Sequence, residues 1–116
     1  MYKIEEIERE RKVANARLAK LDSKVYRAFL EMEKATFRDG ALSKKHKELM
    51  AAAIGVVTNC ESCMQWHIGQ AAKEGATMRE VLEAIEVAIE MGTGPATVNA
   101  RFALEVMDGT FGEKGA

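Results

Sequence analysis

From Leu49 to Val57 the chain reads Leu-Met-Ala-Ala-Ala-Ile-Gly-Val-Val, a helix-forming stretch with no polar side chain. A helix without a polar face is stable only when covered. The segment therefore predicts the central element of the fold. Ser43 suits its N-cap, because a side-chain oxygen there takes up one of the free amides of the first turn. Glu48 stands at the edge of the apolar stretch, and its row continues through Ala52, Gly55 and Asn59, small residues that leave room for another backbone to approach the carboxylate. The 116 residues contain one proline and little β-branched alternation, but much Ala, Glu, Lys, Leu and Met. That composition favours helices over strands. The fold class expected is all-α, a compact bundle of about six helices, with residues 1–116 forming a single domain.

Residues 1–39 supply the N-terminal helices. The first, Ile4 to Leu21, carries a thin apolar stripe of Ile4, Ile7, Val13, Leu18 and Leu21 suited to packing along one surface or against another subunit. The second runs from Ser23 to Thr36 and stops at Asp39-Gly40, with Phe37 placed to plug the core. Residues 40–108 hold the remaining helices. After the buried helix, Asn59 is a candidate N-cap for a helix that carries Cys60 in its first turn and ends at Gly75. Thr77 and Glu80 form a capping box for the next. Gly92-Thr93-Gly94-Pro95 breaks the chain before a last helix through Val98, Phe102 and Met107, and residues 109–116 read as a flexible tail.

A formal charge of -1 provides no basic field for nucleic acid or anionic lipid. The charged start lacks a signal core, and no apolar run approaches the roughly 18 residues of a membrane span. The reading is a cytoplasmic protein without nucleic-acid or membrane partners. Thiols are normally kept reduced in the cytoplasm, so a close cysteine pair there points to catalysis, redox cycling or metal binding.

The two cysteines stand as Cys60-Glu61-Ser62-Cys63, with His67 four residues beyond. At about 100° per residue, Cys60, Cys63 and His67 share one helix face. Cysteines three apart at a helix start sit near disulfide distance, and the first-turn amides stabilise a thiolate. His67 could accept a proton near neutral pH, and Glu48 could orient the imidazole or pass that proton onward. Together they make a proton relay feeding a nucleophilic sulfur. The same four residues could instead bind zinc or iron, although structural zinc sites usually bring a second Cys or His pair. A thioredoxin-like fold is disfavoured by the missing strand–helix alternation. His46 and the surrounding lysines read as a solvated first turn, and Trp66 as helix packing rather than pocket lining.

Leu42-Ser43, Glu48, the Ala-rich helix, Cys60-x-x-Cys63-x-x-x-His67, Gly75-Ala76-Thr77 and the Gly92-to-Ala96 break together resemble the carboxymuconolactone decarboxylase superfamily, in its alkylhydroperoxidase D-like branch. The resemblance spans about Gly40 to Met107. It implies a helical, single-repeat fold that assembles into homo-oligomers, trimers or hexamers; no resident cofactor or metal is expected. By analogy Cys63 attacks a hydroperoxide and becomes a sulfenic acid, Cys60 resolves it as a Cys60–Cys63 disulfide, and Glu48 and His67 move protons. Disulfides are a second possible substrate class. The reductant implied is an external dithiol, such as a lipoyl group on a partner protein. Ser62 departs from the branch, whose peroxidases carry a histidine immediately before the second cysteine. Two alternatives stand beside this reading: a non-catalytic redox-sensing oligomeric module, and a lactone-decarboxylating enzyme, although members with that activity generally lack the cysteine pair.

Overall fold

The structure, a computed structural model, describes residues 2–112. It contains α1 (Tyr2–Lys20), α2 (Lys24–Thr36), α3 (Lys44–Val57), α4 (Glu61–Lys73) and α5 (Met78–Phe111), with no strand among the described residues. The all-α expectation is met with five helices rather than six. Gly92–Pro95 does not separate two helices: the chain continues through it, and within α5 only Thr93 leaves helical geometry, at φ 53° and ψ -134°. The break is therefore a kink, where a proline without an amide and two glycines let the axis bend. Gly92 is required there, because a Cβ on it would lie 2.5 Å from the Ala96 Cβ.

Three joints are built alike. After α1, α3 and α4 a left-handed residue, Asp22, Asn59 or Gly75, turns the chain. The amide that follows it reaches back to Leu18, Gly55 or Ala71 respectively, at 3.1, 2.8 and 2.9 Å. This is the Schellman closure of a helix end. At the first two joints the same residue then caps the next helix, Ser23 for α2 and Cys60 for α4. The predicted cap Asn59 is thus displaced by one: its backbone is already used to end α3, a left-handed position that Asn tolerates. Ser43 caps α3 as expected, and Thr77 with Glu80 forms the capping box of α5.

Helix α3 packs against α4 and α5, and the core between them holds Val56, Met64, Ile68, Val81, Ile85 and Ala103, all fully buried. Covering one such isoleucine contributes about 2 kcal/mol. The expectation that α3 is enclosed all round is corrected in the single chain: Met50, Ile54 and Val57 face outward, because α4 and α5 cover only one side of it. Helix α2 buries no residue, and its stripe of Val25, Phe29 and Met32 is exposed. Phe37 does not plug the core but stacks on His67. At the far end α5 is helical through Phe111, so the expected tail does not begin at Gly109; residues 113–116 lie outside those described.

Candidate functional site

The Schellman turn after α3 fixes the site. By capping the end of α3 at Thr58 and the start of α4 at Cys60, the residue after Asn59, it sets the first turn of α4 against the last turn of α3. Gly55 permits the approach: a Cβ there would stand 3.2 Å from the Cys63 Cβ and 3.3 Å from the Met64 amide nitrogen. The small-residue row predicted from the sequence is thus used, and what it admits is the backbone that carries Cys63. Cys60 and Cys63 form a disulfide with their Cα atoms 5.2 Å apart, inside the range an unstrained bridge requires. Cys60 Sγ also accepts a hydrogen bond from the Cys63 amide at 3.2 Å, so the N-cap of α4 is a sulfur.

One turn further along α4, His67 Nδ1 lies 2.6 Å from Glu48 Oε1. Glu48 is 2% exposed, and its second oxygen accepts from Lys44 Nζ at 2.8 Å. An ionised carboxylate only accepts hydrogen bonds, so Nδ1 is the protonated nitrogen and Nε2 is left as the basic one. Phe37 covers the imidazole, with ring centroids 5.1 Å apart and planes 25° from parallel. Glu48, Cys60, Cys63 and His67 therefore gather along the junction of α3 and α4. Among the described residues no group of three or more His, Cys, Asp and Glu side chains is arranged to hold a metal ion.

A cavity of about 640 Å³ opens between α2 and the α3–α4 pair, lined by Leu30, Phe37, Lys44, Glu48, Trp66 and Gln70 among others. Trp66 lines it and is 38% exposed, so the reading of this residue as helix packing is corrected. The cause is the sparse contact of α2 with the core, which leaves the Trp66 face of α4 uncovered.

Two functional neighbours escaped the sequence reading. Lys44, read as part of a solvated turn, is tied to Glu48; the i,i+4 spacing of a cation and an acid on one helix was the available signal. Its neighbours Lys45 and Lys47 are held as well, by Glu80 and by the Arg38 carbonyl, whereas His46 is exposed as expected. Arg11 reaches from α1 to the Cys60–Cys63 loop 51 residues away. Its Nη2 donates to the Ser62 carbonyl and hydroxyl, both at 3.1 Å, and to Gln65 Oε1 at 2.5 Å, while its guanidinium lies over the Trp66 ring. Burial lowers the Arg11 pKa, with Glu8 acting in the opposite direction. Nothing in local spacing announces so distant a contact.

The sequence profile of the carboxymuconolactone decarboxylase family matches residues 23–106. A Paracoccus denitrificans protein described as uncharacterized protein 4 in the cox locus is 47% identical over 81 residues, covering 70% of this chain and 73% of that one. The apo crystal structure of a carboxymuconolactone decarboxylase family protein from Legionella pneumophila superposes with a TM-score of 0.90 at 33% identity, over 97% of this chain and all of that one. A Thermotoga maritima protein of the same family, described as a candidate for the antioxidative response, gives 0.80 at 25% identity over 90% and 88% of the two chains.

Proposed function

The chain belongs to the carboxymuconolactone decarboxylase family, and from that premise we propose that it is a thiol-dependent oxidoreductase that reduces hydroperoxides, or disulfides, through Cys60 and Cys63. The observation that carries this reading is the Glu48–His67 pair at 2.6 Å, its carboxylate buried, one helical turn from a cysteine pair already at bonding distance. A permanent staple across three residues needs no proton carrier beside it; a dithiol that opens and closes does.

In the reaction, His67 Nε2 takes the proton of the Cys63 thiol, and the resulting thiolate attacks the distal oxygen of the hydroperoxide. The O–O bond breaks, Cys63 becomes a sulfenic acid, and the departing alkoxide takes a proton from His67. Glu48 holds the imidazolium while Lys44 holds Glu48. Cys60 then attacks the sulfenic sulfur, forming the disulfide and releasing water. An external dithiol, a lipoyl group in this reading, returns two electrons and two protons. Such cycling suits the reducing cytoplasm, and no described helix is long and apolar enough to cross a membrane. The exposed apolar side chains of α2, α3 and α5, among them Phe29, Ile54 and Met91, support assembly into a trimer or hexamer.

The test is intact mass against time after one equivalent of an organic hydroperoxide is added to reduced protein. We expect rapid loss of two hydrogens per chain, repeated turnover with dihydrolipoamide, loss of the fast reaction in Cys63→Ser and a trapped sulfenic acid in Cys60→Ser. Oxidation no faster than that of a free thiol overturns the peroxidase reading. Loss of the fast reaction in Cys60→Ser alone overturns the assignment of the attacking sulfur.

A further inference from the structure

Both residues between the cysteines are gripped by α1. Lys3 Nζ pairs with Glu61 at 2.7 Å, and Arg11 Nη2 donates to the Ser62 carbonyl at 3.1 Å. The Ser62 carbonyl belongs to the same peptide group as the Cys63 amide, and that amide donates to Cys60 Sγ at 3.2 Å. A cation, one peptide dipole and one sulfur are thus joined in a line. Withdrawing electron density at a carbonyl oxygen makes the N–H of that peptide a better donor, and hydrogen bonds in series reinforce each other. A donor that favours the charged form of its acceptor lowers that acceptor's pKa.

We propose that Arg11 is a positioning residue of the redox loop, which through the Ser62–Cys63 peptide group stabilises the thiolate of Cys60 and so makes Cys60 the sulfur that leaves when the disulfide is reduced. The assignment of Cys60 as the resolving sulfur rests on the function proposed above, whereas the effect of Arg11 on its ionisation does not. Reduction then has a fixed direction. A thiolate of the external dithiol attacks Cys63 Sγ, the Cys60–Cys63 bond breaks, and Cys60 departs as the thiolate, because the sulfur better stabilised as an anion leaves faster. The second thiol of the reductant, having lost its proton, attacks its own sulfur in the mixed disulfide and releases Cys63. Two electrons have entered, the reductant is a disulfide, and the protein sulfurs take up the protons that the reductant gave.

The charged groups around the loop do not duplicate this role. On α1, Lys3 is engaged with Glu61, and Glu8 opposes Arg11 in sign. On α3, Lys44 is engaged with Glu48, which holds His67 of α4. On α5, Arg101 and Glu105 share a surface cleft with Lys3 and Glu61, and they bring opposite charges.

The experiment alkylates reduced protein with iodoacetamide across pH and follows Cys60 and Cys63 separately by peptide mass, in the natural chain, Arg11→Met, Arg11→Lys and Ser62→Ala, with circular dichroism as the check on folding. Arg11→Met is expected to raise the Cys60 midpoint by about one unit, cutting its alkylation near pH 7 by up to about tenfold. Arg11→Lys should restore at least half of that shift. Ser62→Ala should leave the midpoint in place, because it removes the hydroxyl and keeps the carbonyl. If Arg11→Met does not fold, Arg11→Gln carries the same expectation with a donor but no charge. An unchanged Cys60 midpoint in a folded, neutral Arg11 variant overturns the proposal, and so does a shift confined to Cys63. Because no step of this titration needs a peroxide, a protein that shows the Arg11 effect yet fails to turn over hydroperoxide would refute the peroxidase reading alone.

Discussion

Replacing Glu48 with Gln is the most informative single change in the site, because it keeps the shape and removes the charge. Glu48 is 2% exposed and accepts from two donors, His67 Nδ1 at 2.6 Å and Lys44 Nζ at 2.8 Å. A glutamine offers one accepting oxygen and one donating amide group. If the oxygen keeps His67, the amide faces the Lys44 ammonium, donor against donor. If the oxygen keeps Lys44, the amide faces His67, which must then move its proton to Nε2. Either way one charge-assisted bond, worth about 1.5–3 kcal/mol, is lost. Lys44 is 28% and His67 15% exposed at the side chain, so water replaces part of that bond. We expect a loss of about 2 kcal/mol, which for a domain of this size lowers the melting temperature by about 8 °C. Thermal unfolding by circular dichroism reads the stability, and nitrogen-resolved histidine spectra read the tautomer. Peroxide-driven disulfide formation should slow by about 10²-fold, the contribution of one positioned proton carrier. A Glu48→Gln protein with unchanged melting temperature and an unchanged His67 tautomer would refute the claim that a carboxylate at this position holds the imidazole.

Three further outcomes follow from the same geometry. Gly55→Ala places a methyl 3.2 Å from the Cys63 Cβ and 3.3 Å from a backbone nitrogen that cannot swing aside; a loss of about 1–3 kcal/mol in urea unfolding is expected, with slower closure of the disulfide, and a neutral result would show that α4 shifts freely. The Glu80 carboxyl is held below its usual 4.5, first by the hydrogen bond from Lys45 and then by the Thr77 amide. A carboxyl depressed in the folded state contributes stability above 4.5 that is lost as pH falls through the lower folded value; Glu80→Gln should therefore flatten the acid side of the stability curve, and an unchanged acid limb counts against the pairing. Sedimentation of the natural chain should give several times the 12.8 kDa monomer mass, and Ile54→Lys on the uncovered face of α3 should reduce it.

The parts of the fold that were legible in the sequence are those set by local chemistry. Ser43 and Thr77 act over one helical turn, and a capping oxygen needs only its own neighbours. The placing of Cys63 and His67 one turn apart on α4 was legible because helical geometry alone dictates it, whereas Cys60, expected in the first turn, is the extended N-cap just before the helix. The extent of the last helix was not. Gly92, Gly94 and Pro95 are breakers by propensity, yet the packing of Ala88, Ala96 and Ala100 into one core holds both arms of α5 together, and the chain bends instead of looping. Phe37 on His67 and Arg11 on Ser62 were illegible for a different reason: each joins elements far apart in sequence, and neither leaves a periodic trace.

The same division explains how the site is held. Local rules place the sulfurs, since the left-handed Asn59 and the Cys60 cap bring the first turn of α4 back onto Gly55. Long-range contacts set the charges around them, with Glu48 approaching from α3 on the His67 side and Arg11 from α1 on the Ser62 side. A short dithiol loop at a helix start has few amides of its own to spare once the cap is made. Its charged supports, Lys3 and Arg11 directly and Glu48 through His67, come from other helices. Helix α1 packs Ile4 and Ile7 against the core and reaches the loop through Lys3 and Arg11. Deleting α1 should therefore disturb the ionisation of the cysteines as well as the packing that Ile4 and Ile7 give the core.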